Sequence, residues 1–311
     1  MRAARARLTR SAALASIAMA LFLGVLKLWA VWQTGSTAML GSLADTALDF
    51  VASLATLVGV WVAARPADES HRFGHGKAEA LAAMVQVILI VLSAGAIAFR
   101  AALRLAEGGR TEAAAQGIAV SAIAILATFA LLAWQRHVIR RTGSVAIRAD
   151  NVHYKSDLLL NLAVIAALAI DQYLGFAQAD PLFGLGIAGW LLWGAWRASA
   201  EAVEQLMDRE WPEEKRLRFV ECAARHPELS KLHDLRTRTS GDRDIAQFHV
   251  DLPGTMSIAA AHAVIERVEE DLCREFPDLE LLIHIDPEGH VDEPGNRLVE
   301  ADEFRKLEDE S

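Results

Sequence analysis

Residues 42–50 read SLADTALDF, and the two acids in this stretch, Asp45 and Asp49, lie inside an apolar run that extends from 38 to 64. A run of that length is enough to cross a bilayer, which needs roughly 20 apolar residues. A second stretch, DNVHYKSDLLLNL at 150–162, places His153 and Asp157 inside another long run, 145–171. Within each pair the spacing is four residues, so on a helix both side chains share one face. Depth can be compared by counting from the ends of the runs. Asp49 is 15 residues from Ala64 and Asp157 is 13 residues from Ser144, or roughly 22 Å and 20 Å at 1.5 Å per residue. Both pairs therefore reach the middle of a membrane.

Four further runs, near 12–32, 80–104, 115–137 and 181–203, bring the expected spans to six, all before residue 205. The first follows Arg2, Arg5, Arg7 and Arg10, as a secretory signal does. Its length, Lys27 within it and the lack of a small-residue cleavage site favour a span. Composition agrees: 53% of the 311 residues are hydrophobic and only 23% charged. Residues 1–200 carry 17 Lys and Arg against 11 Asp and Glu, a net of +6, whereas 201–311 carry 14 against 29, a net of −15, which together give the chain's −9. This split excludes a disordered chain, a single soluble globule and a nucleic-acid binder working through a general basic surface. Cys222 and Cys273 are too few for a disulfide framework or a four-thiolate zinc site.

Lys and Arg concentrate at the N-terminus, at Arg65, Arg72 and Lys77, and at Arg136, Arg140, Arg141 and Arg148. By the positive-inside rule these segments face the cytoplasm, and so do both termini. Arg100, Arg104 and Arg110 run against that trend.

A carboxylate at mid-membrane costs a few kcal/mol or more and persists where it is paired or faces a wet cavity. Asp45, Asp49, His153 and Asp157 could surround one divalent cation in a four-coordinate shell. The competing reading is a polar cluster that merely holds helices together. Two pairs on separate spans favour the ion site. An imidazole among the carboxylates favours zinc, iron or their neighbours over manganese and magnesium. Because such ligands shed protons to bind metal, one site can exchange a cation for protons.

The loop at 67–80, ADESHRFGHGKAEA, offers Asp68, His71 and His75. A carboxylate and two imidazoles make a partial metal shell. Gly74 and Gly76 argue against a helix that would align them, and a plain polar connector is as good a reading from the residues alone. Lys77 could pair with an acid.

From about 208 the chain reads as a small α/β unit of order αββαβ: a helix after Pro212, strands at 232–240 and 244–252, a helix from Ile258 to about Glu275 capped by Ser257, and a strand at 279–287. His226, His233, His249, His262 and His284 fall in this unit, with Asp286 sharing a strand face with His284. Whether His233 and His249 share a face depends on the hairpin. A two-residue loop at Gly241-Asp242 opposes residues summing to 483 and separates them, whereas a three-residue loop unites them. A metal site there predicts the longer loop. The last segment, 291–311, is charged, has little core-forming pattern and reads as a frayed helix or a flexible tail.

These motifs together, with ARPADESHRFGHGKAE at 64–79, AIRADNVHYKSD at 146–157, DRE at 208–210, HDLRTRTSG at 233–241 and IHIDP at 283–287, resemble the cation diffusion facilitator family in its bacterial ferrous-iron/zinc efflux branch, over residues 10–290. The resemblance implies a mainly α membrane protein, a six-helix transmembrane bundle (1–207) followed by a metallochaperone-like cytoplasmic dimerisation domain (208–290). It implies a homodimer in the bacterial inner membrane; the lack of an HExxH motif or a serine-nucleophile elbow argues against an enzyme, and the composition against a nucleic-acid partner. The implied activity is proton-coupled efflux of zinc, cadmium or ferrous iron; the alternative is a membrane-anchored metal sensor or chaperone. It further implies Asp45, Asp49, His153 and Asp157 as the transport site, and Asp68, His71 and His75 as a loop site. His233, His249, His262, His284 and Asp286 would form a cytoplasmic binuclear site, and Lys77 and Asp208 an interlocking ion pair. Ile285 departs from the family, whose close relatives carry glutamine there.

Overall fold

The computed structural model describes residues 2–34, 37–106, 115–176, 178–229, 231–241, 243–290, 295–296 and 301–310. The chain divides into two compact units, Ala3–Glu204 and one built on the residues from Gln205 onward.

The first unit consists of long helices, among the described residues α1 (Arg2–Thr34), α2 (Thr37–Ala63), α3 (Ala78–Ala106), α4 (Ala115–Thr142), α5 (Val145–Leu174) and α6 (Ala179–Leu206). The shortest has 27 residues, roughly 40 Å at 1.5 Å per residue, so each is long enough to cross a bilayer. Four described segments are also apolar enough by composition: Ala4–Gln33, Thr46–Ala63, Ala78–Ala106 and Ile123–Thr142. Of the other two expected spans, α6 falls short of that measure through an abundance of glycine and tryptophan, and α5 carries Arg148, Asp150, Lys155 and Asp157 in its first half. Asp150 and His153 of α5 are buried, while Leu126 of α4 and Trp196 of α6 are more than 70% exposed. Polar inside and apolar outside is the pattern of a bundle solvated by lipid.

Small residues set the helix spacing. A side chain added at Gly59 of α2 would meet Ala82 Cβ of α3 at 2.3 Å and the Ala78 carbonyl at 3.1 Å, so the two backbones pack as closely as they can. One apolar cluster joins Ala12 and Ala13 of α1, Val60, Ala82, Val138 of α4, and Ala146 and Ile147 of α5. A second joins α3 to α6 through Val87, Ile90, Ala94, Leu191, Ala195 and Ala198.

The second unit contains α7 (Glu213–Ala223), β1 (Leu232–Ser240), β2 (Arg243–Leu252), α8 (Ile258–Glu275), β3 (Leu279–Pro287) and α9 (Glu303–Glu310). The order α7-β1-β2-α8-β3 is the expected αββαβ. Ser257 caps α8 by accepting from the Ala260 N–H at 3.2 Å, and Ala261, Val264, Ile265, Val268 and Leu272 form its buried stripe. In the sheet, β2 lies between antiparallel β1 and parallel β3. Ala246, Phe248, Val250 and Leu252 of β2 pack on Phe219, Val220 and the α8 stripe. Side chains alternate along a strand, so His249 and Asp251 occupy the opposite face.

Of the two readings of the tail, the described residues take the helical one, and the little core-forming pattern it has is used. Glu303–Glu310 form a helix whose Phe304 and Leu307 pack against the domain core, and Glu303 pairs with Arg216 of α7 at 3.1 Å. The i,i+3 spacing of two large apolar side chains supplies a face despite the charge around them.

Candidate metal centre

Three groups of carboxylates and imidazoles converge among the described residues, each with one ligand atom per residue within 4.8 Å of the others. In the helical unit the group is Asp49, His153 and Asp157. His153 Nε2 lies 2.9 Å from Asp49 Oδ1 on α2 and 3.9 Å from Asp157 Oδ2, one turn along α5. The histidine side chain is 6% exposed, and the two acids 16% and 26%. The i,i+4 spacing puts His153 and Asp157 on one face of α5, and packing of α5 on α2 supplies Asp49. The side chain of Asp45 lies outside the described residues. Thr46, beside it on α2, accepts from Lys27 Nζ of α1 at 2.6 Å. A lysine within an apolar span is itself a signal of function.

In the loop, Asp68 Oδ1 accepts from the backbone N–H groups of Ser70 (2.9 Å) and His71 (2.7 Å), an Asx turn that sharpens the chain without a helix. Gly74, at φ 81°, continues the turn, and its N–H donates to the His71 carbonyl at 2.9 Å. His71 Nδ1 then lies 3.4 Å and His75 Nε2 3.3 Å from the Asp68 carboxylate. His75 Nδ1 is 3.2 Å from the Pro66 carbonyl; a carbonyl only accepts, so that nitrogen carries the proton and Nε2 keeps its lone pair for a metal. The His71 N–H bond is the main cause holding the Asp68 carboxyl below its ordinary value. Turn geometry, and not a helix face, unites these three residues.

In the α/β unit the group is His233, His249 and Asp286, and the hairpin reaches it by a route unlike the expected one. Ser240 pairs with Arg243, Thr237 with Ala246 and Arg236 with Gln247, all summing to 483. The loop is thus the two-residue one, the outcome expected to separate the histidines. A bulge then shifts the register, and His233 pairs directly with His249. Asp234, within the bulge, adopts φ 47°, a left-handed conformation that Asp tolerates better than most residues. The expectation of a longer loop is therefore corrected, while the shared face it was meant to deliver is present.

Parallel pairing sets His249 beside His284 and Asp251 beside Asp286. The Asp286 carboxylate, 4% exposed, is the hub: Oδ2 lies 2.8 Å from His249 Nδ1 and 3.7 Å from His233 Nε2, and Oδ1 lies 3.2 Å from His284 Nε2. A carboxylate with imidazoles on both oxygens can bridge two cations. His284 is 62% exposed at the rim. His262 does not join: it projects from α8, 72% exposed and 3.6 Å from Glu266, because the sheet's other face receives α8. Two further acids were missed. Asp251 Oδ1 lies 3.1 Å from His233 Nε2, and Asp234 Oδ2 lies 3.7 Å from His249 Nε2. Asp251 was legible two residues after His249 on the same strand; Asp234 was hidden by the bulge. Asp208, at φ 57°, accepts from Arg238 at 3.2 Å; Lys77 belongs to the other unit.

Residues 13–207 match the cation efflux transmembrane domain, and residues 211–288 match the cytoplasmic domain of cation efflux proteins. The chain is 40% identical over 285 residues to the Cation-efflux pump FieF of Klebsiella pneumoniae subsp. pneumoniae, covering 92% of this chain and 95% of that one. With the protein of the same name from Yersinia pestis it is 42% identical over 282 residues, covering 91% and 94%. A solved structure of CzrB in its zinc form matches 28% of this chain and 99% of that chain at 32% identity, with a TM-score of 0.25. Helical membrane unit, α/β cytoplasmic unit and full-length kinship agree, and the chain belongs to the cation diffusion facilitator family of metal-cation efflux transporters.

Proposed function

We propose that this protein exports divalent transition-metal cations from the cytoplasm in exchange for protons, with Asp49, His153 and Asp157, joined by Asp45, as the transport site. The observation that carries the reading is His153 Nε2 standing between carboxylates of two helices in the part of the chain that matches the efflux domain. Carboxylates beside a buried imidazole can be neutralised by a metal or by protons, and the cluster sheds protons to bind the metal. The mixed nitrogen and oxygen set favours zinc, cadmium and ferrous iron over manganese. Alternating exposure of that site to the two sides would make the exchange a transport cycle.

Asp68, His71 and His75 form a second metal site at the cytoplasmic loop, and His233, His249, His284 and Asp286 a third in the cytoplasmic domain. The protein works as a homodimer in the bacterial inner membrane with both termini inside. His262, outside the cluster of its own chain, is available to a second copy. Zinc flux into proteoliposomes under an imposed pH gradient tests the reading. Asp49→Ala and Asp157→Ala abolish flux while retaining cytoplasmic metal binding; full flux in either variant refutes the site. A sensor or chaperone without transport gives the reverse, dependence on the cytoplasmic ligands alone.

A further inference from the structure

One turn before His153 on α5 lies a carboxylate that the metal sites do not use. Asp150 is fully buried (0% exposed), and its partners come from three other helices. Ser16 Oγ of α1 donates to Oδ2 at 2.6 Å, Gln135 Nε2 of α4 donates to the same oxygen at 2.8 Å, and Gln86 Nε2 of α3 donates to Oδ1 at 3.0 Å. Gln86 also reaches α2, with Nε2 2.9 Å from Thr56 Oγ1 and 3.0 Å from the Ala52 carbonyl. Around these, Gln135 Nε2 lies 3.0 Å from Ser16 Oγ, Asn151 Nδ2 donates to Gln135 Oε1 at 2.9 Å, and Tyr154 Oη donates to the Ser16 carbonyl at 2.9 Å. The helices α1, α3, α4 and α5 thus meet at one carboxylate, and α2 is tied to it through Gln86.

The arrangement is specific in two ways. Every described donor to Asp150 is a neutral amide or hydroxyl, arranged as a cradle for an anion; hydrogen bonds to a charged acceptor are roughly twice as strong as neutral ones and hold their geometry. And the cradle sits beside the ligands on both helices that carry them. Asp150 is three residues before His153 on α5, while Ala52 and Thr56 are three and seven residues after Asp49 on α2. Residues three or four apart share a helix face. Gln86 therefore ties α2 to α5 one turn away from the place where His153 and Asp49 approach to 2.9 Å. Through the apolar cluster of α3 with α6, the same glutamine links that pair of helices to the ligand-bearing ones.

We propose that Asp150 is a positioning residue for the transported metal: it binds no cation itself, and through Gln86 it fixes the spacing of α2 and α5 at which Asp49, His153 and Asp157 close on one ion. The proposal rests on the transport-site reading above. Groups that orient metal ligands change affinity by about 10- to 100-fold when removed, so the effect falls on the half-saturating metal concentration.

The test is zinc flux by the full-length protein in proteoliposomes, measured against zinc concentration. Asp150→Asn raises half-saturation at least tenfold, with maximal flux reduced less. Gln86→Ala, which removes the tie between α2 and α5 and leaves Asp150 in place, raises half-saturation comparably. Wild-type half-saturation in Asp150→Asn or in Gln86→Ala overturns the proposal, as does a loss confined to maximal flux. If Asp150→Asn fails to insert, Ser16→Ala and Gln135→Ala each remove one donor; unchanged half-saturation in both overturns the proposal equally. Asp49→Ala run in parallel separates the two ideas: retained flux there removes the transport-site reading, whatever Asp150→Asn does.

Discussion

The bulge in β1 makes the sharpest prediction. Asp234 sits at φ 47°, and the extra residue lets His233 oppose His249 despite a two-residue hairpin. Asp234→Val puts a β-branched side chain where the left-handed conformation costs about 1–2 kcal/mol. The strand can keep the bulge and carry that strain, or slip by one residue. Slipping would turn Leu232, 0% exposed, out of the core at a cost of about 2 kcal/mol or more, and would carry His233 off the metal face. The bulge is therefore kept, and the variant is less stable by about 1–2 kcal/mol. Asp234→Asn tolerates the same backbone and should stay within about 0.5 kcal/mol of wild type. The protein supplies its own reporter, since Cys222 is 3% exposed and Cys273 is exposed. In a Cys273→Ser background, a thiol-reactive dye reads unfolding of this domain alone. For a domain of this size the midpoint should fall by about 4–8 °C per kcal/mol. Equal midpoints and equal zinc binding for Asp234→Val and Asp234→Asn would show that the backbone conformation is not what aligns the histidines.

Other perturbations bear on separate parts of the argument. Gly59→Val forces α2 away from Ala82 of α3, which a bare Cβ would already meet at 2.3 Å, so transport should fall steeply with the cytoplasmic domain's unfolding midpoint unchanged. Asp286→Ala removes the carboxylate shared by three imidazoles and should weaken cytoplasmic zinc binding by about 100-fold or more, read by competition with a fluorescent chelator. At the loop, the Asp68 carboxyl is held below its ordinary value chiefly by the His71 N–H, so it is still ionised as pH falls into the range where free carboxylates begin to protonate. Asp68→Asn should therefore lower zinc affinity at neutral pH, measured by competition with a fluorescent chelator. Phe304→Ala should loosen α9 and destabilise the cytoplasmic domain by about 1–2 kcal/mol, measured with the same thiol reporter.

Much of this protein is legible in one dimension because two periodicities dominate it. Apolar runs longer than a bilayer is thick announce long helices whatever surrounds them, and an i,i+4 pair shares a face on any helix, so spacing alone puts His153 and Asp157 on one face of α5, whereas Asp49 reaches them only by packing of α2 on α5. Strand alternation likewise put His284 beside Asp286. Three things were decided only when the chain closed on itself. The register of His233 depends on a bulge, one residue in an unusual conformation, and no repeat in the residues marks it. The loop ligands come together through backbone hydrogen bonds to Asp68, a local turn that composition leaves open. And Asp150, which reads along α5 as one more polar residue, becomes the meeting point of four helices, because its partners Ser16, Gln86 and Gln135 are between 15 and 134 residues away in sequence. Periodicity reports which way a side chain faces; what it faces is set by packing between distant segments.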